Sequence, residues 1–397
     1  MATATSMGDQ IRRTVKDLPP LPTVVTKLVR VVGDDSSSAE DVTRVLAGDP
    51  ALAAKVLKLV NSSFYGQSGE IATITRAVVV LGFATVRNLA LGLAAGGALK
   101  QAGGADYQRR FWTHALATAC AADALVRHCG LACDPEEAFV AGLLHDVGHP
   151  VLALAAPQEF AAVFGAGPEG RLEREETAFG LGHTKAGQML LRHWKLPGFL
   201  GEAARFHHHG KICTGGETPL VSVVCLADVL AGIVDEVYEC SATEADLPAL
   251  LKVVGLDAAH LGEVLQATAA RVRENRAFLE IATDGEIGAA APVDRPPLAV
   301  TVVGTEPARV RWVQGILGFH GCPAVPMRAF FAGETAADLV LVDRPGVGDE
   351  QLAKLAPALA AVAARLRALG DPLGTVAAAV GRPAPGLSLV FSRADLG

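Results

Sequence analysis

Histidines and acids recur along this 397-residue chain in an order that could hold a metal. They are His114, His145, Asp146, His183, His207, His208 and Asp228. Imidazole and carboxylate groups are the usual protein ligands for Zn, Mn or Fe. The adjacent pair His145-Asp146 is the most informative. It ends the apolar run Ala138–Leu144 and is followed by Val147, Gly148, His149 and Pro150. Burying a carboxylate without a partner is costly, so the pair either caps and pins structure or holds a metal. Neighbouring helical residues point about 100° apart. A metal reached by both would therefore sit at a helix end, with other helices closing its shell. His114, on a helix beginning near Phe111, and Asp228, inside an apolar helix, are placed for that. Each residue also has a plainer reading. His114 can pack beside Trp112, and His183 can cap its helix. Part of His207-His208-His209 can be solvated surface beside Gly210, and Asp228 can bond a neighbouring helix end. No Walker A sequence and no Ser nucleophile elbow offers a competing chemistry.

The scaffold that must position these side chains reads as helical. Half the residues are hydrophobic and only 5% are aromatic. Ala, Leu and Val dominate, a balance that favours packed helices, and the length suggests two or three domains. The net charge of −7 comes with no basic face, which argues against nucleic acid as the partner. The seven cysteines, Cys120, Cys129, Cys133, Cys213, Cys225, Cys240 and Cys322, are scattered without a CxxC pair. They read as small buried hydrophobes of a reducing compartment, not as a zinc ribbon. Met1–Gly8 lacks the features of a signal peptide, and Arg, Asn or Gly interrupts the longest apolar stretches. The expectation is a cytoplasmic protein without a membrane span.

Helices follow from the punctuation. Leu18-Pro19-Pro20-Leu21-Pro22 interrupts a helical stretch over Gln10–Val32. Asp49-Pro50 reads as N-cap and first helical position, ahead of a stripe of Leu52, Val56, Leu59 and Val60. Further helices are expected over Arg76–Leu81, Val86–Leu99, the run stopping near Gly148, the segment from His183 to Trp194, Phe199–Phe206, Val221–Val234 and Leu247–Ala282. Gly288–Pro297 is a Pro/Ala-rich linker. Beyond it come strands at Leu298–Val303, Ala324–Pro326, Asp338–Asp343 and Thr375–Val380. Helices at Arg309–Phe319 and Leu352–Leu369 alternate with them, the order of a small α/β domain. The expected fold is mainly α, a helical bundle followed by a small α/β C-terminal domain. Its parts are an N-terminal lobe over 1–100, a second helical lobe over 101–285, a linker over 286–297 and the α/β domain over 298–397.

Several motifs carry a resemblance. Leu18-Pro19-Pro20-Leu21-Pro22, Asp49-Pro50-Ala51-Leu52-Ala53, Asn61-Ser62-Ser63-Phe64-Tyr65-Gly66 and Ala77–Gly82 occur in that order. Phe111-Trp112, Gly142–Gly148, Trp194-Lys195-Leu196-Pro197 and His207-His208 follow. Over roughly residues 10–245 the chain resembles the HDOD family, bacterial proteins named for an "HD-related output domain". The order of ligand candidates also resembles the wider HD phosphohydrolase superfamily. That resemblance implies a first metal site of His114, His145, Asp146 and Asp228, and a second of His183, His207 and His208, with Asp146 bridging. It implies metal-assisted hydrolysis of a phosphate ester, of a nucleotide or cyclic dinucleotide. Two positions depart from it. His149 stands where dinuclear cyclic-dinucleotide phosphodiesterases carry Lys, a departure that argues against the hydrolytic site, with His149 itself the one catalytic candidate. Gly210-Lys211-Ile212-Cys213 stands where they carry Gly-Tyr-Pro.

The C-terminal segment resembles a degenerate receiver domain of response regulators. Asp343 ends the third expected strand, where such domains carry a phosphoacceptor, while Gly304-Thr305-Glu306 lacks their acidic pair. The resemblance to HDOD proteins implies signal transduction through other signalling proteins, with dimerisation as one role for the C-terminal domain.

Overall fold

The computed structural model of the chain describes residues 6–32, 38–61, 71–167, 170–216, 218–235, 247–257, 260–274, 300–303, 314, 324–325, 339–343 and 387–389. They fall into two compact units, one within 1–254 and 267–288, the other within 255–266 and 289–397.

The described part of the first unit is helical. It opens with α1 (Met7–Asp17), whose N-cap Ser6 accepts from the Asp9 amide. The prolines at 19, 20 and 22 separate it from α2 (Thr23–Val32). α3 (Ala39–Leu46) starts in a capping box between Ser38 and Asp41, satisfying two amides that the helix itself leaves open. α4 (Pro50–Val60) has the expected cap, with Asp49 accepting from the Leu52 amide at 3.0 Å. Asn61 then ties two segments together. Its side-chain amide donates to Leu57 O and Ile71 O, each at 2.9 Å, and its carbonyl accepts from Ile71 N at 2.7 Å. The rest of its motif, Ser62–Gly66, lies outside the described residues. α5 (Ile74–Leu81) ends at Gly82, whose φ of +87° suits glycine, and α6 (Phe83–Leu99) follows at once.

α7 (Ala105–Cys129) is the central strut. It is buried on nearly every face from Phe111 to Val126, as expected of a helix apolar all round. α8 (Pro135–Leu144) and α15 (Pro219–Asp235) pack along it. Between them in the chain come α9 (Gly148–Ala155), α10 (Pro157–Gly165), α11 (Arg171–Phe179), α12 (His183–His193), α13 (Gly198–Phe206) and α14 (Gly210–Gly215), and α16 (Leu247–Val254) follows α15. α12 packs on α9 and α13, and α1 lies against α9, α11 and α12. Gln10 Nε2 donates to Ala155 O, and Trp194 Nε1 to Pro19 O. One buried cluster therefore runs from Ile11 to Val224. Asp123, buried in α7, is paired with Arg127 at 2.9 Å and with Arg271.

Gly148 does not stop a helix, contrary to the sequence expectation. The apolar run ends at Leu144, residues 145–147 form a turn, and Gly148 begins α9. Its φ is not positive. The reason for a glycine is the neighbouring helix: a Cβ at 148 would fall on the His183 carbonyl and the Gly187 amide. Taken together, Pro135–Ala155 is long and apolar enough to cross a membrane by length and composition, and most of it is buried inside the protein.

In the second unit, β1 (Val300–Val303) pairs parallel with β2 (Ala324–Val325) and β3 (Leu339–Asp343), and β3 pairs antiparallel with β4 (Leu387–Leu389). The order is β2-β1-β3-β4. β4 was not expected from sequence. The linker 286–297, the Thr375–Val380 strand, and the helices at Arg309–Phe319 and Leu352–Leu369 (Gln314 apart) lie outside the described residues.

Candidate metal centre

The turn after α8 resolves the geometric difficulty of two adjacent ligands. His145 is the C-cap of α8 and returns its Nδ1 to the Gly142 carbonyl at 2.7 Å. Asp146 sits one residue on, in the turn, and its carbonyl accepts from the His149 amide at 2.9 Å. Both side chains then face one interior space instead of diverging along a helix.

Four other segments bring in the remaining candidates. α7 supplies His114 and α15 supplies Asp228, and the two meet at 2.9 Å (Nε2 to Oδ1). His183 is the first residue of α12, and His207 and His208 follow the end of α13. All seven predicted ligands are 3% exposed or less. His209 alone of the triple histidine is exposed. The plainer readings of His183 and His207-His208 as cap or surface therefore do not describe where these rings lie.

The donor atoms form two groups with Asp146 between them. One nitrogen or oxygen from each of Asp146, His183, His207 and His208 lies within 4.8 Å of the others, and the same holds for His114, His145 and Asp228. Asp146 Oδ1 is 3.3 Å from both His183 Nε2 and His207 Nε2. Its Oδ2 is 3.5 Å from His145 Nε2, which is itself 3.6 Å from Asp228 Oδ1. His208 Nδ1 is more distant, 3.9 Å from Asp228 Oδ2.

Whether these residues suit a metal is tested by their unused atoms. His145 Nε2, Asp146 Oδ1, His183 Nε2, His207 Nε2, His208 Nδ1 and Asp228 Oδ1 are all buried without a hydrogen-bond partner. Buried polar atoms are normally satisfied, and six orphans converging on one space are exceptional. Three of the rings have their other nitrogen engaged. His145 Nδ1 meets Gly142 O, His207 Nδ1 lies 3.1 Å from Ala204 O, and His183 Nδ1 is 2.7 Å from Glu175 Oε2. A ring that donates on one side presents a lone pair on the other, the usual arrangement of a metal-binding histidine. The residues present fit a divalent metal.

The surroundings reinforce the charges. Burial works against charge on Asp146, but His145 and His149 beside it outweigh that and hold its carboxyl well below the usual range. Asp228 is likewise lowered, with His114 and His145 overcoming burial. Burial opposes charge on His183 too, yet Glu175 and Asp146 push it up to about 10. Burial lowers His207 and, with His207 adjoining, lowers His208 further. Metal uptake must then displace a proton from His183 but not from His207 or His208. The expected result is an affinity that rises with pH across the neutral range, with proton release on binding that includes the His183 proton. Calorimetric metal titrations in buffers of different ionisation enthalpy, at pH 6.5, 7.5 and 8.5, measure both quantities.

His149, the catalytic candidate, joins the wall of the centre. Its Nδ1 is 3.3 Å from Asp146 Oδ2 and its Nε2 is 3.0 Å from Glu175 Oε1. Phe160 and Phe164 flank its ring, and Tyr107 packs edge-on against both. Arg171 is buried over the face of Phe164, 4.1 Å from its centroid. Sequence reasoning missed Glu175, which touches two of the histidines.

Comparison with known proteins bears on the fold that carries this centre. Residues 18–210 match the family model of the HDOD domain. The chain carries an HDOD domain. A structure from Marinobacter aquaeolei, described as a candidate signal transduction protein, is 26% identical with a TM-score of 0.54. It covers 70% of this chain and 65% of its own. A candidate phosphohydrolase from Shewanella amazonensis is 26% identical with a TM-score of 0.52, covering 70% of this chain and 99% of its own. A Geobacter sulfurreducens HDOD domain protein of unknown function is 24% identical with a TM-score of 0.54, covering 70% of this chain and 95% of its own, and shares the fold. A Treponema pallidum protein described only as uncharacterized is 26% identical over 234 residues, 58% of this chain. The match spans 45% of that relative's length. The HDOD match ends at residue 210, so Asp228 on α15 lies beyond it, although it belongs to the same cluster.

Proposed function

We propose that this chain is a bacterial signal-transduction output module of the HDOD type that acts by protein–protein interaction, with a divalent metal (Fe, Mn or Zn) held at the His/Asp centre. The observation that carries this reading is closure. All seven ligand candidates are buried, and Phe160, Phe164 and Tyr107 seal the side beyond His149. Among the described residues, these side chains present almost no surface to which a phosphate ester could bind. The same burial suits a structural centre that ties α7, the α8–α9 turn, α12, the end of α13 and α15 together. A bound divalent metal would supply ligation and, where solvent reached it, Lewis acidity and an activated water.

A second reading is metal-dependent hydrolysis of a nucleotide or cyclic dinucleotide. What favours it is the two-group donor arrangement with Asp146 between, together with the solved relative described as a candidate phosphohydrolase. Metal analysis of the full-length protein, followed by phosphodiesterase assays on a cyclic dinucleotide with Mn2+, Fe2+ or Zn2+, separates the two. The output-module reading expects stoichiometric metal and no turnover. Turnover that disappears in Asp146→Ala would establish the second reading instead.

The partners under this proposal are other signalling proteins, in the cytoplasm; the five described cysteines are free thiols, which fits a reducing compartment. The C-terminal unit is proposed as an interaction or dimerisation domain. Support for a receiver-like ancestry is the parallel order β2-β1-β3, an order shared with flavodoxin-like folds, and Asp343 at the end of β3.

A further inference from the structure

Glu175 shares His183 with the centre and forms a third group of close donors with it and His149. It lies on α11, where Arg171, Glu175 and Phe179 form the buried face. Gly180, with φ of +74°, then turns the chain into α12. The turn delivers the first amide of α12 onto the carboxylate: His183 N donates to Glu175 Oε2 at 2.7 Å. An acid at a helix N-terminus is favoured by the open amides and the helix dipole. The same oxygen receives His183 Nδ1 at 2.7 Å, and Oε1 receives His149 Nε2 at 3.0 Å.

Both oxygens of Glu175 are therefore engaged. This sets it apart from Asp146 and Asp228, each of which has a buried oxygen without a hydrogen-bond partner. The other nitrogens of the two rings point back to Asp146. His183 Nε2 is 3.3 Å from Oδ1, and His149 Nδ1 is 3.3 Å from Oδ2. The result is a closed circuit of four side chains: Asp146, His149, Glu175, His183 and Asp146 again. His149 and His183 are stacked within it, with ring centroids 3.9 Å apart.

We infer that Glu175 is the positioning residue of the centre: by bonding His183 Nδ1–H and His149 Nε2–H together, it aims both rings at the two oxygens of Asp146. This rests on the proposal that the centre binds a metal. His149 then serves as a brace for Asp146, which gives the histidine at this position a role without any proton transfer. Outer partners of this kind change metal affinity about 10–100-fold when removed.

The test uses the full-length chain, its Glu175→Gln variant, and Co2+ as probe. Gln keeps the size of Glu but has one carbonyl where two acceptor oxygens are needed. The expected result is Co2+ affinity weakened 10–100-fold, a changed Co2+ visible absorption spectrum, and unchanged far-UV circular dichroism. With 15N-histidine labelling, the metal-free wild type should show a His183 Nδ1–H resonance protected from exchange, and the variant should lose it. Wild-type affinity and spectrum in Glu175→Gln would overturn the inference. So would a third Co2+ per chain that depends on Glu175, since that would make it a ligand. If wild type takes up no Co2+, the metal reading fails, and the His183 resonance still decides the role of Glu175. If Glu175→Gln does not fold, absence of that protected resonance in wild type overturns the inference and its presence supports it.

Discussion

Asp146→Ala should remove metal binding from the whole centre, lowering affinity by more than about a hundredfold, because loss of a direct ligand exceeds the effect of an outer partner. The expectation follows from where its two oxygens lie. Oδ1 serves His183 and His207, while Oδ2 faces His145 and His149. Among the described carboxylates, Asp228 lies with His114 and His145 and comes only to 3.9 Å from His208, and Glu175 lies with His149 and His183. Substitution at Asp228 should by comparison weaken the His114/His145 side and leave the His183/His207 side able to bind. Metal content per chain after purification, and Co2+ titration of the refilled proteins, checks both. Equal metal content in wild type and Asp146→Ala would sink the assignment. The variant should also remain folded. Leaving buried polar partners unsatisfied costs about 1–3 kcal/mol, more for charged ones, and Asp146 is not a member of the apolar cluster from Ile11 to Val224. Circular dichroism on the same samples separates lost metal from lost fold.

The candidate site was legible in sequence to an unusual extent, for a physical reason. Histidines and acids inside apolar runs are conspicuous, because a random buried polar group is costly. His114 and Asp228 stood out this way within helices, and so did His145-Asp146 at the end of one. Glu175 did not. It sits in Arg171-Leu172-Glu173-Arg174-Glu175-Glu176, a string of charges that reads as a solvated face. Only a spacing of four from Arg171 to Glu175 to Phe179 marks the inward side, and just one of those three is apolar. Composition concealed the one acid that pointed in. The caps at Asp49 and the proline break before α2 were legible because they depend on neighbours in sequence. The turn at 145–147 was not, since its cause lies on another helix.

That cause gives the second large effect. Gly148→Ala should destabilise the protein by about 1–3 kcal/mol or more, the usual cost of forcing extra volume into a packed core, and should weaken metal binding at the same time. The added methyl would collide with the His183 carbonyl and the Gly187 amide, both backbone atoms. Backbone cannot rotate aside as a side chain can, so α9 and α12 must separate. His149 is carried on α9 and His183 on α12. Any separation therefore opens the circuit through Asp146 and Glu175 before it affects the distant α7–α15 contact. The thermal midpoint and Co2+ affinity should fall together in Gly148→Ala. Gly198→Ala is the comparison: it is exposed at the start of α13 with open space around it, and neither quantity should move. If Gly148→Ala matched wild type in both, the close approach of α9 and α12 would not be what places His183 opposite Asp146. The glycine of the His-Asp-Val-Gly sequence would then need another reason. On the present geometry the reason is plain: two helices can bring a histidine and an aspartate to one space only where a side chain has been left out.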